Sequence, residues 1–126
     1  MCIALVIDPD SAGAKLARVV LEAEGCVVTV AGSVAAAREL LARQSPDRII
    51  MELHFPDADG FAFANELALR FPGMPIIAMT AANGRDLELR ASAVGCALYV
   101  RKPIDVGVFA AQVHATPLPL PEPLED

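Results

Sequence analysis

Five short apolar runs recur along the chain at intervals of roughly 22 to 27 residues, and no other feature restricts the fold so strongly. They are CIALVI from Cys2, CVVTVA from Cys26, RIIMEL from Arg48, PIIAM from Pro75 and ALYV from Ala97. Each is strand-sized. Because the runs are apolar throughout rather than alternating, they are expected to be buried on both faces, as in a parallel sheet covered by helices. Between them lie apolar stripes of helical period: Leu16, Val19, Val20, Ala23; Val34, Ala37, Leu41; Phe61, Ala64, Ala68, Phe71; Leu87, Ala91, Val94; and Val106, Phe109, Ala110, Val113. Ser33, Asp59 and Asp105 stand at N-cap positions, with Gly25, Gly73 and Gly95 just past helix ends. The pattern is (βα)5, an α/β fold with a doubly wound, parallel five-stranded sheet and right-handed crossovers. At 126 residues and a mean hydropathy of +0.47, the chain supplies one core and one domain, residues 1–115. Residues 116–126 place Pro at alternate positions and are expected to form an extended tail or linker.

In an open α/β sheet, ligands and chemistry gather outside the carboxyl ends of the strands, near the point where strand order reverses. Asp8 follows the first run, Glu52 ends the third, Thr80 ends the fourth, Lys102 follows the fifth, and Asp10 lies two residues past Asp8. Singly, each has an ordinary explanation as a turn, cap or solvated residue. Together at one sheet edge they define a candidate site. His54 has no histidine or cysteine near it in sequence and is expected to be a loop residue, in a turn that Pro56, Asp57 and Gly60 lead into the third helix. A net charge of −6 and the lack of a Lys/Arg run argue against direct contact with nucleic acid. MCIALVIDPD has no basic start and meets an acid at Asp8, so neither a signal peptide nor a membrane span is expected. Cys2, Cys26 and Cys96, an odd number at unrelated spacings, are expected to be reduced core thiols in a cytoplasmic protein.

The segments LVIDPDS, PDRIIMELHFPDADGF, PIIAMTA and LYVRKP make residues 1–115 resemble the receiver domains of bacterial two-component response regulators. The resemblance implies a flavodoxin-like topology with sheet order 2-1-3-4-5. It also implies roles. In that family the third strand ends in the Asp that accepts a phosphoryl group, and an acidic pair after the first strand binds Mg²⁺. A fourth-strand Thr and a fifth-strand Lys contact the phosphoryl oxygens, and an aromatic residue three before the Lys reports the state. Asp8, Thr80, Lys102 and Tyr99 match this pattern, and Lys102-Pro103 resembles the family's cis Lys-Pro bond.

Two positions depart from the pattern. Glu52 stands at the phosphoacceptor position and Pro9 at that of the second metal-binding acid. One extra methylene moves the accepting oxygen by roughly 1.5 Å, and a misplacement of ~1 Å can cost ~100-fold in rate. Pro9 offers no side-chain oxygen, which leaves Asp8, Glu52 and the His54 carbonyl as weak Mg²⁺ ligands at most. No cofactor and no enzymatic activity are expected. The implied function is a degenerate, phosphorylation-independent receiver acting by protein contact, with Glu52 either imitating the phosphorylated state or forming a static ion pair with Lys102. A histidine kinase or an effector is the implied kind of partner. The segment DVGVFAAQVHA leaves Val108, Ala111 and Ala115 off its buried stripe. The resemblance implies a contact surface on the fourth helix, fifth strand and fifth helix, where Arg85, Asp86, Glu88 and Arg90 give a mixed-charge rim, so a homodimer or a protein complex through this face is a further expectation. A rival reading takes LVIDPDS as the Asp-x-Asp signature of haloacid-dehalogenase-like phosphatases, with Asp8 as nucleophile and Asp10 as general acid. The chain has no room for a cap domain and shows no later acidic pair. Flavin binding is disfavoured because DPDSAGA lacks the hydroxyls and glycines that cradle a flavin phosphate.

Overall fold

The computed structural model describes residues 2–82 and 84–115; the Pro-rich segment 116–126 lies outside the described residues. All five apolar runs become strands: β1 (Cys2–Ile7), β2 (Cys26–Ala31), β3 (Arg48–Met51), β4 (Ile76–Thr80) and β5 (Leu98–Arg101). Between and after them come α1 (Ser11–Ala23), α2 (Val34–Leu41), α3 (Gly60–Arg70), α4 (Arg85–Ala93) and α5 (Val106–Ala115). Every strand pair is parallel and the order is β2-β1-β3-β4-β5, as the resemblance implied. Strand alternation sorts the core into two layers. Leu5, Ile7, Ile49, Met51, Ile76 and Ala78 face α2, α3 and α4, burying Leu41, Phe61, Phe63, Ala64 and Leu67. Ala4, Val6, Ile50, Ile77, Met79 and Val100 face α1 and α5, burying Ala17, Val20, Leu21, Phe109 and Val113.

Local chemistry sets the helix ends. The Ser33 hydroxyl accepts the Ala36 amide, Asp59 Oδ1 accepts the Ala62 amide and Asp105 Oδ1 accepts the Val108 amide, so all three expected N-caps are formed. Asp10 is a fourth, accepting the Ala12 amide at the start of α1. Gly60 has a different constraint: a Cβ there would collide with the backbone of Leu53, so only glycine lets α3 begin against the chain leaving β3.

Five expectations need correction. Cys2 and Cys26 form a disulfide rather than two free thiols. The β1–β2 register sets them opposite each other with Cα atoms 4.5 Å apart, a proximity that linear spacing does not reveal. Cys96 remains a free buried thiol, pushed up to about 11 by burial. The thiol argument for a cytoplasmic setting therefore lapses. The α1 stripe is rotated: Leu16 and Val19 are exposed, whereas Gly13, Ala14, Ala17, Val20 and Leu21 are buried, because small residues let α1 lie close to the sheet. In α3, Phe63 and Leu67 join Phe61 and Ala64 in the core, and Ala68 and Phe71 are only half-buried; in α5, Val106 is exposed. The edge strand β2 is not covered on both faces, since Val27 and Val30 are exposed. Among the described residues, no helix is long and apolar enough to cross a membrane.

Gly60→Ala is expected to destabilise the fold by ~1–3 kcal/mol, read as a lower urea midpoint at unchanged slope. Gly32→Ala, where a Cβ would meet nothing within 4 Å, should melt like the parent. Equal midpoints for the two variants would show that the loop after β3 is not packed against α3.

Candidate functional site

Parallel strands deliver their carboxyl ends to one edge, and backbone bonds tie those ends together. The Asp8 amide donates to Ala31 O at 2.9 Å, the Glu52 amide to Ile7 O at 2.8 Å, and the Lys102 amide to Thr80 O at 2.9 Å. Asp8, Glu52 and Lys102 thus start from fixed backbone positions. Lys102 Nζ lies 2.8 Å from Asp8 Oδ2, 3.2 Å from Glu52 Oε1 and 3.6 Å from Asp10 Oδ2. The Asp8 side chain is fully buried, and its Oδ1 accepts the Asp10 amide at 2.9 Å. Glu52 Oε2 accepts the amides of Leu53 at 2.7 Å and His54 at 3.1 Å. The Lys102-Pro103 peptide is cis, as the resemblance implied.

The cluster's electrostatics follow from burial. Burial, the largest influence, raises the Asp8 carboxyl, while Lys102 and the Asp10 amide pull it down without cancelling the rise. For Lys102 burial works downward, but Asp8 and Glu52 together outweigh it and hold the ammonium above its ordinary range. Three carboxylates against one ammonium leave the cluster net negative.

Thr80 and Tyr99 join this cluster by a route that the sequence did not signal. The Thr80 hydroxyl, 1% exposed, is 3.0 Å from His54 Nδ1 and accepts the Ala82 amide at 3.3 Å. Tyr99 Oη donates to Ala82 O at 2.7 Å. His54 is in a loop, as expected, but its imidazole is a member of the site. Spacing rules search for a second histidine or cysteine and pass over one whose partner is a hydroxyl on the next strand. Gly13 was also missed. A Cβ there would come within 2.9 Å of Asp8 Oδ2 and 3.0 Å of Lys102 Cε, so glycine lets the first turn of α1 close over the ion pair. Its signal is a glycine inside a helix, where it costs roughly 0.5–1 kcal/mol relative to alanine.

A divalent cation is what the resemblance implied for these acids, and the donor set does not suit it. Mg²⁺ requires near-octahedral oxygen coordination. Here the Lys102 ammonium stands among the carboxylates, and Pro9 contributes no side-chain oxygen. Among the described residues, no group of three His, Cys, Asp or Glu side chains is arranged to hold a metal ion.

Residues 4–114 match the family model of the response regulator receiver domain, and the chain belongs to that family. It is 28% identical over 111 residues to the probable transcriptional regulatory protein TcrX of Mycobacterium tuberculosis, with 88% of this chain and 47% of that protein covered. The chain thus spans about half the length of that relative. A two-component response regulator from Clostridium difficile superposes with a TM-score of 0.85 at 25% identity, covering 92% of this chain and 95% of the other. A response regulator from Burkholderia pseudomallei, described with a phosphorylated aspartic acid, a calcium ion and citrate, superposes with a TM-score of 0.77 at 26% identity. It covers 91% of this chain and 72% of its own. The phosphatase reading of Asp8 and Asp10 gains no support, since both Asp8 oxygens are already engaged.

Removing the ammonium should expose how the cluster is balanced. Because burial raises the Asp8 carboxyl, the folded state holds that proton to higher pH than the unfolded chain, so ionised Asp8 costs stability as pH rises. Lys102 offsets this at neutral pH, and its own contribution is lost only as pH rises above 10.5 and through its raised folded value. Lys102→Met is therefore expected to cost ~1–3 kcal/mol at pH 7 and to recover much of it near pH 4, where carboxylates take up protons. Melting curves identical to the parent's at both pH values would mean that the three acids and Lys102 are not one electrostatic unit.

Proposed function

We propose that the chain is a receiver-type signalling module that works through protein contact and does not accept a phosphoryl group. The observation that carries this reading is the commitment of Glu52: Oε1 is held by Lys102, and Oε2 by the amides of Leu53 and His54. In phosphoryl transfer the enzyme-side chemistry is mostly positioning, so an attacking oxygen has to be free and in line with phosphorus. Glu52 is held elsewhere and carries a longer side chain than the aspartic acid phosphorylated in the Burkholderia relative. Pro9 adds no oxygen for a cation that would neutralise the transferred group. Of the two roles open to Glu52, the static ion pair fits better than an imitation of the phosphorylated state. The Thr80 hydroxyl turns to His54, and one carboxylate has less than the charge of ~1.5 to 2 on a phosphoryl group.

The partner in this reading is a protein: a histidine kinase, an effector or a second copy of the chain. Leu89 on α4 and Val108 on α5 are each 57% exposed, beside the charged Arg85, Asp86, Glu88 and Arg90. An apolar centre with a mixed-charge rim suits a self-complementary contact on the α4–β5–α5 face. Direct nucleic-acid contact is not part of the reading, given the net charge of −6. A cytoplasmic setting rests on the family resemblance rather than on the cysteines.

Incubation with acetyl phosphate and Mg²⁺ is expected to leave the intact mass unchanged. A stable phosphoryl adduct that disappears in Glu52→Gln would overturn the reading. Restored acceptance should need Glu52→Asp and Pro9→Asp together; full activity from Glu52→Asp alone would place the whole defect in Glu52. For the surface, Val108→Glu with Ala111→Glu should give a folded monomer by light scattering where the parent self-associates. A parent already monomeric at ~100 μM would rule out a homodimer of micromolar affinity.

A further inference from the structure

We propose that the His54 side chain is a built-in partner for the Thr80 hydroxyl and that, through Thr80 and Ala82, it fixes the position of Tyr99. The inference rests on the static reading of Glu52 and names what governs that same site. Thr80 is buried, so its hydroxyl has no water to fall back on and needs a protein partner. His54 Nδ1 supplies it at 3.0 Å. The same hydroxyl accepts the Ala82 amide, and the Ala82 carbonyl accepts the Tyr99 phenol, so three hydrogen bonds run from the loop after β3, across the end of β4, to β5.

The imidazole is about half exposed, yet its direction is determined from several sides. Its backbone amide is held by Glu52 Oε2, and the residue forms an isolated antiparallel bridge with Asp59 at the start of α3. Its ring packs edge-on against Phe61, with centroids 6.0 Å apart and planes at 88°. Phe61 is in turn covered by the Arg90 guanidinium, 4.0 Å from its ring centroid. Half-exposed side chains ordinarily sample several rotamers. Here Nδ1 lies 3.0 Å from the Thr80 hydroxyl and 3.7 Å from Glu52 Oε2, so the hydroxyl is engaged from within the chain. Tyr99 is thereby kept in one arrangement without an incoming signal.

The chain has one tyrosine and no tryptophan, so intrinsic fluorescence reports Tyr99 alone. His54→Phe keeps an aromatic ring against Phe61 but removes the nitrogen; His54→Asn keeps a polar atom at the place of Nδ1. His54→Phe is expected to shift the Ala82 amide and Tyr99 ring resonances and to raise acrylamide quenching of Tyr99, whereas His54→Asn stays close to the parent. Thr80→Val should reproduce the His54→Phe effect, and the double variant should add nothing to it, as expected for two residues acting through one bond. Parent-like Tyr99 signals in His54→Phe, or equal shifts in His54→Phe and His54→Asn, would overturn the proposal. If His54→Phe does not fold, His54→Leu, which also lacks the ring nitrogen, decides: release of Tyr99 supports the link and parent-like signals refute it. Intact mass after acetyl phosphate treatment separates the two readings. An adduct on Glu52 refutes the static reading whatever Tyr99 does, and an unmoved Tyr99 without an adduct refutes only the His54 link.

Discussion

Three carboxylates lie within 4 Å of one ammonium at the carboxyl edge of the sheet, and the arrangement of that edge depends on this ammonium. Asp8 is fully buried and its carboxyl is raised, so without a cation beside it the end of β1 would carry an uncompensated charge. Lys102 reaches it because its backbone is bonded to the end of β4, and α1 can close over the pair because Gly13 has no side chain. The ion cluster therefore fixes relations among β1, β3, β5 and α1 that packing alone would leave looser. Breaking a buried charge pair costs more than the pair contributes, since the partner left behind stays buried.

Much of the architecture was legible because it follows from periodicity. Strands apolar throughout implied a covered parallel sheet, and capping residues marked where three helices begin. What was not legible depends on distance between parts of the chain. Cys2 and Cys26 become neighbours only through strand register. The large apolar residues of α1 point to one face by period, whereas close approach of helix to sheet buries Gly13, Ala14 and Ala17. At the site, Asp8, Asp10, Glu52 and Lys102 were assembled from strand-end positions and do converge. His54 has no metal-binding partner near it in sequence, and its partner is Thr80, whose hydroxyl is turned toward the loop.

Sheet order and layering match known receivers at about a quarter sequence identity. A fold of this kind is specified by pattern, whereas its chemistry is specified by a few atoms. Glu52 lies just past β3, beyond the apolar positions that the strand contributes to the core. Pro9 likewise falls in the exposed turn after β1. Such positions can vary without disturbing the apolar scaffold that holds the sheet edge.

The two layers of core on either side of the sheet share a packed interior and also meet at its rim. Asp8, Lys102 and Gly13 belong to the rim beneath α1, while Glu52, His54 and Thr80 lead toward α3 and α4. Glu52 has one oxygen in each network: Oε1 on Lys102, Oε2 on the amide that carries His54. It is thus a side-chain junction between two networks that are also joined through the backbone, where the Lys102 amide donates to Thr80 O. A force applied to the end of β5 by a bound protein would reach helices on opposite faces through a few polar atoms, with no need to deform the close-packed middle of the sheet.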